Sequence, residues 1–354
     1  MAKTILITGG AGFVGHHCVE HVLKNTDWNI IVLDALTYAG NMNRIVELME
    51  KFYAHKNPDE RVKTAGIEVL GSNRLKFIWH DLRASISPNI HALMGKLDYC
   101  IHFAAESHVD RSLQDSIPFA MSNVVGTSHL LEYLKHHQQD CKTLIFSTDE
   151  VFGAASERVY FKEHDQFRPS NPYAASKIGE EMMAYSFAHA FDLPISIVRS
   201  TNIIGEAQHP EKFIPKTIKD IIENRKVTLH GKSREDLSSR CWVHARNVAD
   251  GLLFLLEKAG KKEFYNITGE EKTILDMADW IHEEIRGRKL YDNEIEFVDF
   301  HTARPGHDKR YALDDTKIRN LGWVPPVDLE HSLKKTVRWT LNNEKWLKLI
   351  FEKQ

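Results

Sequence analysis

The chain has 354 residues, 42% of them apolar, and a formal net charge of -3 from 46 basic and 49 acidic residues. That length allows two lobes or one large α/β unit with a real core, and a near-neutral charge without a basic block argues against a nucleic-acid partner. No stretch reaches the roughly 18 apolar residues of a membrane span, and the first strand begins almost at once, leaving no room for a signal peptide. A cytoplasmic protein without a membrane partner is therefore expected. Cys18, Cys100, Cys141 and Cys241 lie far apart and lack metal-ligand spacing, so reduced thiols are expected rather than disulfides or a metal site.

Thr4 to Thr8 is a short apolar run of the kind buried on both faces of a parallel sheet. It leads into Gly9-Gly10-Ala11-Gly12-Phe13-Val14-Gly15. Glycines at 9, 12 and 15 permit a tight turn, close approach of the backbone to a pyrophosphate, and tight packing of the next helix. That helix, from Phe13 and Val14 to about Lys24, would turn its positive end toward the phosphates. A second strand, Asn29 to Leu33, ends in Asp34, 19 residues past Gly15. An acid there accepts the ribose hydroxyls of NAD and repels the 2′-phosphate of NADP.

Met42 to about His55 reads as a helix, and the polar, weakly periodic stretch from Lys56 to Arg74 as a surface insertion. Leu75 to Trp79 resumes the sheet and sets Asp81 and Leu82 at its carboxyl end. Asp81 is a candidate for the adenine side of the cofactor or for a helix cap. After the strand Asp98 to His102, Ala104 and Ala105 are small enough for a cofactor to lie against the backbone. The helix Pro118 to about His137 is apolar on more than one face, which fits burial against both the sheet and a partner subunit. Lys142 to Phe146 delivers Ser147, Thr148, Asp149 and Glu150 to the same sheet edge, and a long helix then runs from Tyr173 to about Phe191. With a strand at Leu193 to Val198, the alternation indicates an α/β, Rossmann-type doubly wound parallel sheet.

Beyond Asn202 the elements shorten, with helices near 213–224, 247–258 and 273–286 and strands near 227–230 and 264–267. They read as a smaller C-terminal α+β substrate lobe. The expected division is 1–200, with a returning segment at 238–260, for the cofactor, and 201–237 with 261–354 for the substrate.

Tyr173 and Lys177 share one helix face, where an ammonium can lower the phenol's pKa and make it a base at a hydroxyl. Asp149 and Glu150 form an acid pair beside Thr148, and two carboxyls in different environments can divide acid and base roles.

These residues sit in longer runs. They are Ala104 to Ser112, Thr148-Asp149-Glu150, Asn171 to Lys177, His209 to Pro215, and Arg304 to Tyr311. Through them the chain resembles the extended short-chain dehydrogenases/reductases, and specifically the dTDP-glucose 4,6-dehydratases, over nearly its whole length. The resemblance implies NAD as cofactor and a nucleoside-diphosphate-glucose as substrate, dTDP-glucose first and UDP-glucose second. Tyr173 would take the proton of the 4-hydroxyl, with Lys177 holding the nicotinamide ribose and Thr148 bonding the sugar near O4. Glu150 would remove the C5 proton, and Asp149 would protonate the departing 6-hydroxyl. Ser107, His108, Asn202, Lys212, Arg240 and Arg304 would hold sugar, ribose or pyrophosphate, with His307 and Tyr311 nearby. A homodimer through the two long helices is also implied. The stretch Cys241 to Asn247 departs from the family pattern, which puts its contacts to the nucleotide in doubt. A 4-epimerase or UDP-glucuronate decarboxylase of the same fold would keep the tyrosine, lysine and glycine turn without needing the acid pair, and an NAD-binding scaffold would need neither.

Overall fold

Along the first strand, β1 (Thr4–Thr8), Ile5 and Ile7 join one buried cluster and Leu6 another, as the two-residue period of a strand requires. Both faces of β1 are therefore covered, which is how a parallel sheet is buried. The computed structural model describes residues 2–53, 62–64, 67–71, 74–299, 306 and 308–348. In chain order the next strands are β2 (Asn29–Asp34), β3 (Val62–Thr64), β4 (Ile67–Gly71), β5 (Leu75–Trp79), β6 (Tyr99–His102), β7 (Lys142–Thr148) and β8 (Ile195–Ser200). Next come β9 (Asn202–Ile204), β10 (Val227–His230), β11 (Ser239–His244), β12 (Phe264–Ile267), β13 (Glu270–Thr273), β14 (Ile295–Val298) and β15 (Arg310–Tyr311).

The main sheet has the order β12-β8-β7-β6-β1-β2-β5-β4-β3. The seven strands from β12 to β5 are parallel. The chain leaves β1 toward β2 and β5 and then returns to β6 on the other side of β1, which creates a crevice at the carboxyl ends of β1 and β6. On one face the helices Phe13–Asn25 and Ala245–Lys258 pack Val19, Val22, Val248, Leu252 and Leu255 against Ile5, Ile30 and Val32. Each such side chain contributes roughly 1.5–3 kcal/mol by leaving water. On the other face Leu130 and Leu134 cover Leu6 and Leu33, while Ala184 and Phe187 cover Ile145 and Ile197. No helix among the described residues is long and apolar enough to cross a membrane.

Two expectations are corrected here. Within the insertion, the described strands β3 and β4 pair with each other and with β5 in antiparallel fashion, so this stretch extends the sheet. The open edge of β5 supplies pairing that no local pattern announces. The rest of the insertion, and the end of the preceding helix beyond Tyr53, lie outside the described residues. β12, assigned from sequence to the smaller lobe, pairs in parallel with β8 and belongs to the main sheet.

The smaller lobe is built from β10 with β14, from β11 with β9, β13 and β15, and from the helices Phe213–Ile222, Ile274–Arg286 and Leu329–Asn342. Ile214, Ile218, Met277, Ile281, Leu333 and Val337 form its separate core. Thr273 caps the helix Ile274–Arg286 in a reciprocal capping box with Asp276.

Candidate active site

A cavity of about 350 Å³ opens at the crevice, lined from the sheet by Gly9, Asp34, Ala104, Ser147 and Glu150 and from the lobe side by Asn202 and Lys212. That volume lies within the range of small-molecule sites.

Its cofactor side follows from the glycine turn. Gly9 has φ +68°, and a Cβ there would lie 2.7 Å from the backbone nitrogen of Ala104. At Gly15 a Cβ would stand 2.2 Å from the carbonyl oxygen of Gly9, so nothing larger than glycine fits. The helix Phe13–Asn25 is capped by Gly12, whose side chain offers nothing to the first N–H groups, and Phe13 and Val14 line the cavity with Gly12 and Gly15. Those donors and the helix dipole suit a pyrophosphate. Asp34 accepts from Ala11 N at 2.9 Å and Leu36 N at 2.7 Å, and burial pushes its carboxyl up. Ala105 and Leu82 line the same cavity, and Ser147 keeps a buried hydroxyl without a partner. Asp81 lies at the rim, where the Arg83 guanidinium bonds its carboxylate at 2.9 Å. It caps no helix, since Ser87 caps Pro88–Met94.

The candidate reacting groups come from two elements. β7 ends at Thr148, whose hydroxyl caps a 3-10 turn, Asp149–Phe152, that turns both acids toward the cavity. Thr148 Oγ1 donates to Asp149 Oδ1 at 3.1 Å and accepts from Glu150 N at 3.3 Å. Asp149 is 5% exposed, and burial first and Glu150 second push its carboxyl up to about 7. Tyr173 stands in the first turn of the helix Pro172–Ala190, capped by Asn171 through Ala174 N. The Asn171 amide also donates to Glu150 Oε2 at 3.1 Å, so one side chain orients both the tyrosine helix and an acid.

Lys177 departs from expectation. Its ammonium donates to Glu180 Oε2 at 2.6 Å and to the Phe146 carbonyl at 2.8 Å. Burial, followed by the charge of Glu150, holds the Tyr173 phenol well above its usual pKa, while a hydrogen bond from Thr148 pulls it down. Glu180 is fully buried, and burial pushes its carboxyl up to about 7 against the pull of Lys177.

Of the expected substrate contacts, Ser107, Thr148, Asn202 and Lys212 line the cavity. Three others stand behind its wall. His108 caps the helix Val109–Gln114 and faces Glu211 at 3.3 Å. Arg240 donates to the carbonyls of Ser239, Asp308 and Lys309 and stacks over Tyr311, whose hydroxyl accepts from Asp308 N. Arg304 and His307 lie outside the described residues. The altered stretch does not face the cavity. Cys241 packs with Ala155 and Ala312, Trp242 joins the lobe core, His244 pairs with Glu206, and Asn247 bonds the Val327 carbonyl.

Sequence reasoning missed Glu180, Arg44 and Asn123. Arg44 lines the cavity while donating to the carbonyls of Ala11, Ala39 and Ala207. Asn123 lies in a π-helical stretch, Ala120–Gly126, between the helical segments Ile117–Phe119 and Thr127–His137. Its amide holds the backbone of Glu106 on the cavity wall at 2.8 and 3.0 Å.

A family model described as GDP-mannose 4,6 dehydratase matches residues 6–336 of this chain. The chain is 32% identical over 352 residues to a trifunctional UDP-glucose 4,6-dehydratase/UDP-4-keto-6-deoxy-D-glucose 3,5-epimerase/UDP-4-keto-L-rhamnose-reductase of Arabidopsis thaliana; the match covers 97% of this chain and 48% of the relative, so the chain spans about half that protein's length. With the dTDP-glucose 4,6-dehydratase of Escherichia coli it shares 32% identity over 369 residues, 98% of this chain and 95% of the relative. The structure of a dTDP-glucose 4,6-dehydratase from Streptomyces venezuelae with NAD and TYD bound is similar at a TM-score of 0.83 and 32% identity, covering 98% of this chain and 99% of that one. The chain belongs to the family that the GDP-mannose 4,6 dehydratase model describes.

Proposed function

We propose that this protein dehydrates a nucleoside-diphosphate-glucose, dTDP-glucose first and UDP-glucose second, to the 4-keto-6-deoxy sugar. The observation that carries this reading is the acid pair. Asp149 and Glu150 share the cavity with Tyr173, and Asp149 is held near the pKa a general acid needs.

NAD, when bound, supplies the hydride acceptor, later the hydride donor, and the positive charge that favours the Tyr173 phenolate. Tyr173 takes the proton of the 4-hydroxyl. A ketone at C4 makes the C5 proton acidic, and Glu150, oriented by Asn171, removes it. Asp149 protonates the 6-hydroxyl as water departs, and Glu150 returns its proton to C5. Lys177 and Asp34 hold the ribose ends of the cofactor, and Ser107, Asn202 and Lys212 hold the sugar nucleotide.

The main sheet, with the helix Ala245–Lys258 returning to it, carries the cofactor, and the smaller lobe carries the nucleotide. The homodimer is part of this reading. Ile117, Met121, Met182, Tyr185 and Phe191 leave apolar surface exposed on the two long helical segments, Ile117 by 67% and Phe191 by 48%. The cytoplasm is the proposed compartment, in keeping with four buried free thiols.

Purified protein incubated with dTDP-, UDP-, CDP- and GDP-glucose is expected to form a 4-keto-6-deoxy product, read by its alkaline absorbance. Conversion of UDP-glucose to UDP-galactose, with no keto product from any of the four, would replace the dehydratase reading by an epimerase.

A further inference from the structure

Lys177 and Glu180 lie three residues apart on one face of the helix Pro172–Ala190, and both are buried. A lysine ammonium carries three N–H donors and no acceptor. Here one donor goes to Glu180 Oε2 at 2.6 Å and another to the Phe146 carbonyl of β7 at 2.8 Å. These are the acceptors it meets among the described residues, so one donor is left for the cavity that Lys177 lines. An ammonium free to spin about its last bond would offer that donor in any direction. Held by two hydrogens, it offers the third in one direction.

The architecture of the helix does not account for Glu180. The next residue, Glu181, accepts from Arg199 of β8 at 2.6 and 3.0 Å and so ties the helix to the sheet. Glu180 instead bonds a side chain of its own helix. Its second oxygen, Oε1, is buried without a hydrogen-bond partner among the described residues. A half-satisfied buried carboxyl opposes folding, and a buried ion pair is often replaced by apolar side chains without loss. What the carboxyl does contribute is the orientation of Lys177.

We propose that Glu180 is a positioning residue for the cofactor: together with the Phe146 carbonyl it locks the Lys177 ammonium, so that the remaining N–H is set in advance for the nicotinamide ribose. This rests on the reading above, in which Lys177 holds that ribose. Glu180 stands behind the cavity wall and acts through Lys177. Orienting the donor before NAD arrives removes an ordering cost from binding and keeps the nicotinamide in one place during hydride transfer. The effect is confined to the nicotinamide half of the cofactor. ADP carries the adenosine and the diphosphate but no nicotinamide ribose, so it reports on the glycine turn and Asp34 without Lys177.

The test compares NAD with ADP by calorimetry. In Glu180→Leu, which has nearly the same bulk and no acceptor, the Kd for NAD is expected to rise at least about tenfold while that for ADP stays within about twofold. With whichever nucleoside-diphosphate-glucose the wild type converts, kcat should fall at least about tenfold and the sugar-nucleotide KM stay within about twofold. Glu180→Gln keeps an oxygen for the ammonium and is expected to remain within about threefold of wild type in all four quantities. Equal weakening of NAD and ADP in Glu180→Leu would mark a purely structural role and overturn the proposal. So would an unchanged NAD affinity in that variant, or a Glu180→Gln protein as impaired as Glu180→Leu. If the leucine variant does not fold, Glu180→Ala takes its place in the same measurements. A wild type that makes no keto product refutes the dehydratase reading instead, while the comparison of NAD with ADP still decides the role of Glu180.

Discussion

Replacing Asp149 by asparagine separates what this residue does for catalysis from what it does to the fold. Its carboxyl rises from 3.8 to about 7 on folding, chiefly by burial. A raised carboxyl pKa means that the folded chain holds a proton the unfolded chain releases, so the ionised form opposes folding. The cost is absent below about 3.8, grows with pH through the window, and is complete above about 7. At about 1.4 kcal/mol per pH unit over roughly three units, the full cost is about 4 kcal/mol. Asparagine has nearly the same shape and no charge to bury. Asp149→Asn is therefore expected to be more stable than wild type at pH 8 by up to about 4 kcal/mol, a gain that shrinks by about 1.4 kcal/mol per unit as pH falls from 7 to 5. The same variant should lose about 10²- to 10⁴-fold in turnover, the usual contribution of a general acid. Thermal or urea unfolding of both proteins at pH 5, 6, 7 and 8 measures the first effect, and product formation the second. Stability differences that stay constant across that range would show that Asp149 does not titrate there and would remove the basis for its role as the acid.

Glu150→Gln should still bind NAD and substrate but stall after C4 oxidation, so that reduced nicotinamide accumulates while turnover falls about 10²- to 10⁴-fold; normal turnover would take Glu150 out of the elimination. Glu180→Gln removes a carboxyl that burial raises from 4.5 to about 7 against the pull of Lys177, so by the same linkage the variant's stability relative to wild type is expected to rise as pH goes from about 5 to 7, read by urea unfolding. A stability difference that stays constant over that range would show that Glu180 does not titrate there. Gly15→Ala forces a Cβ to within 2.2 Å of the Gly9 carbonyl, so NAD affinity measured by calorimetry should fall sharply. An unaltered Kd would show that the turn can relax.

Much of the site was legible because its signals are local. The run from Thr4 to Gly15 carries both the two-residue period of a buried strand and the glycines of a turn that excludes Cβ atoms, and the structure shows both. Thr148, Asp149, Glu150, Tyr173 and Lys177 follow strand or helix positions read directly from the chain, and all five line one cavity. Some features gave no such signal. Glu180 and Glu181 look like the solvated face of a helix, yet both are fully buried, one against Lys177 and the other against Arg199. Cys241 to Asn247 looked like a nucleotide contact by position, and packing turned those side chains into the lobe core and the helix interfaces instead.

The sequence by itself determined the class of fold, the order of the parallel strands' helices and turns, and the candidates for the reacting groups, because each is set by residues within a turn or two of one another. Tertiary structure decided which charges are buried, since that depends on what packs over a residue from distant parts of the chain. It placed β12 in the main sheet by pairing it with β8, and it turned Lys177 toward Glu180. It also joined the end of β7 to the start of a helix that begins 24 residues after Thr148 at Pro172, where the Asn171 cap donates to Glu150.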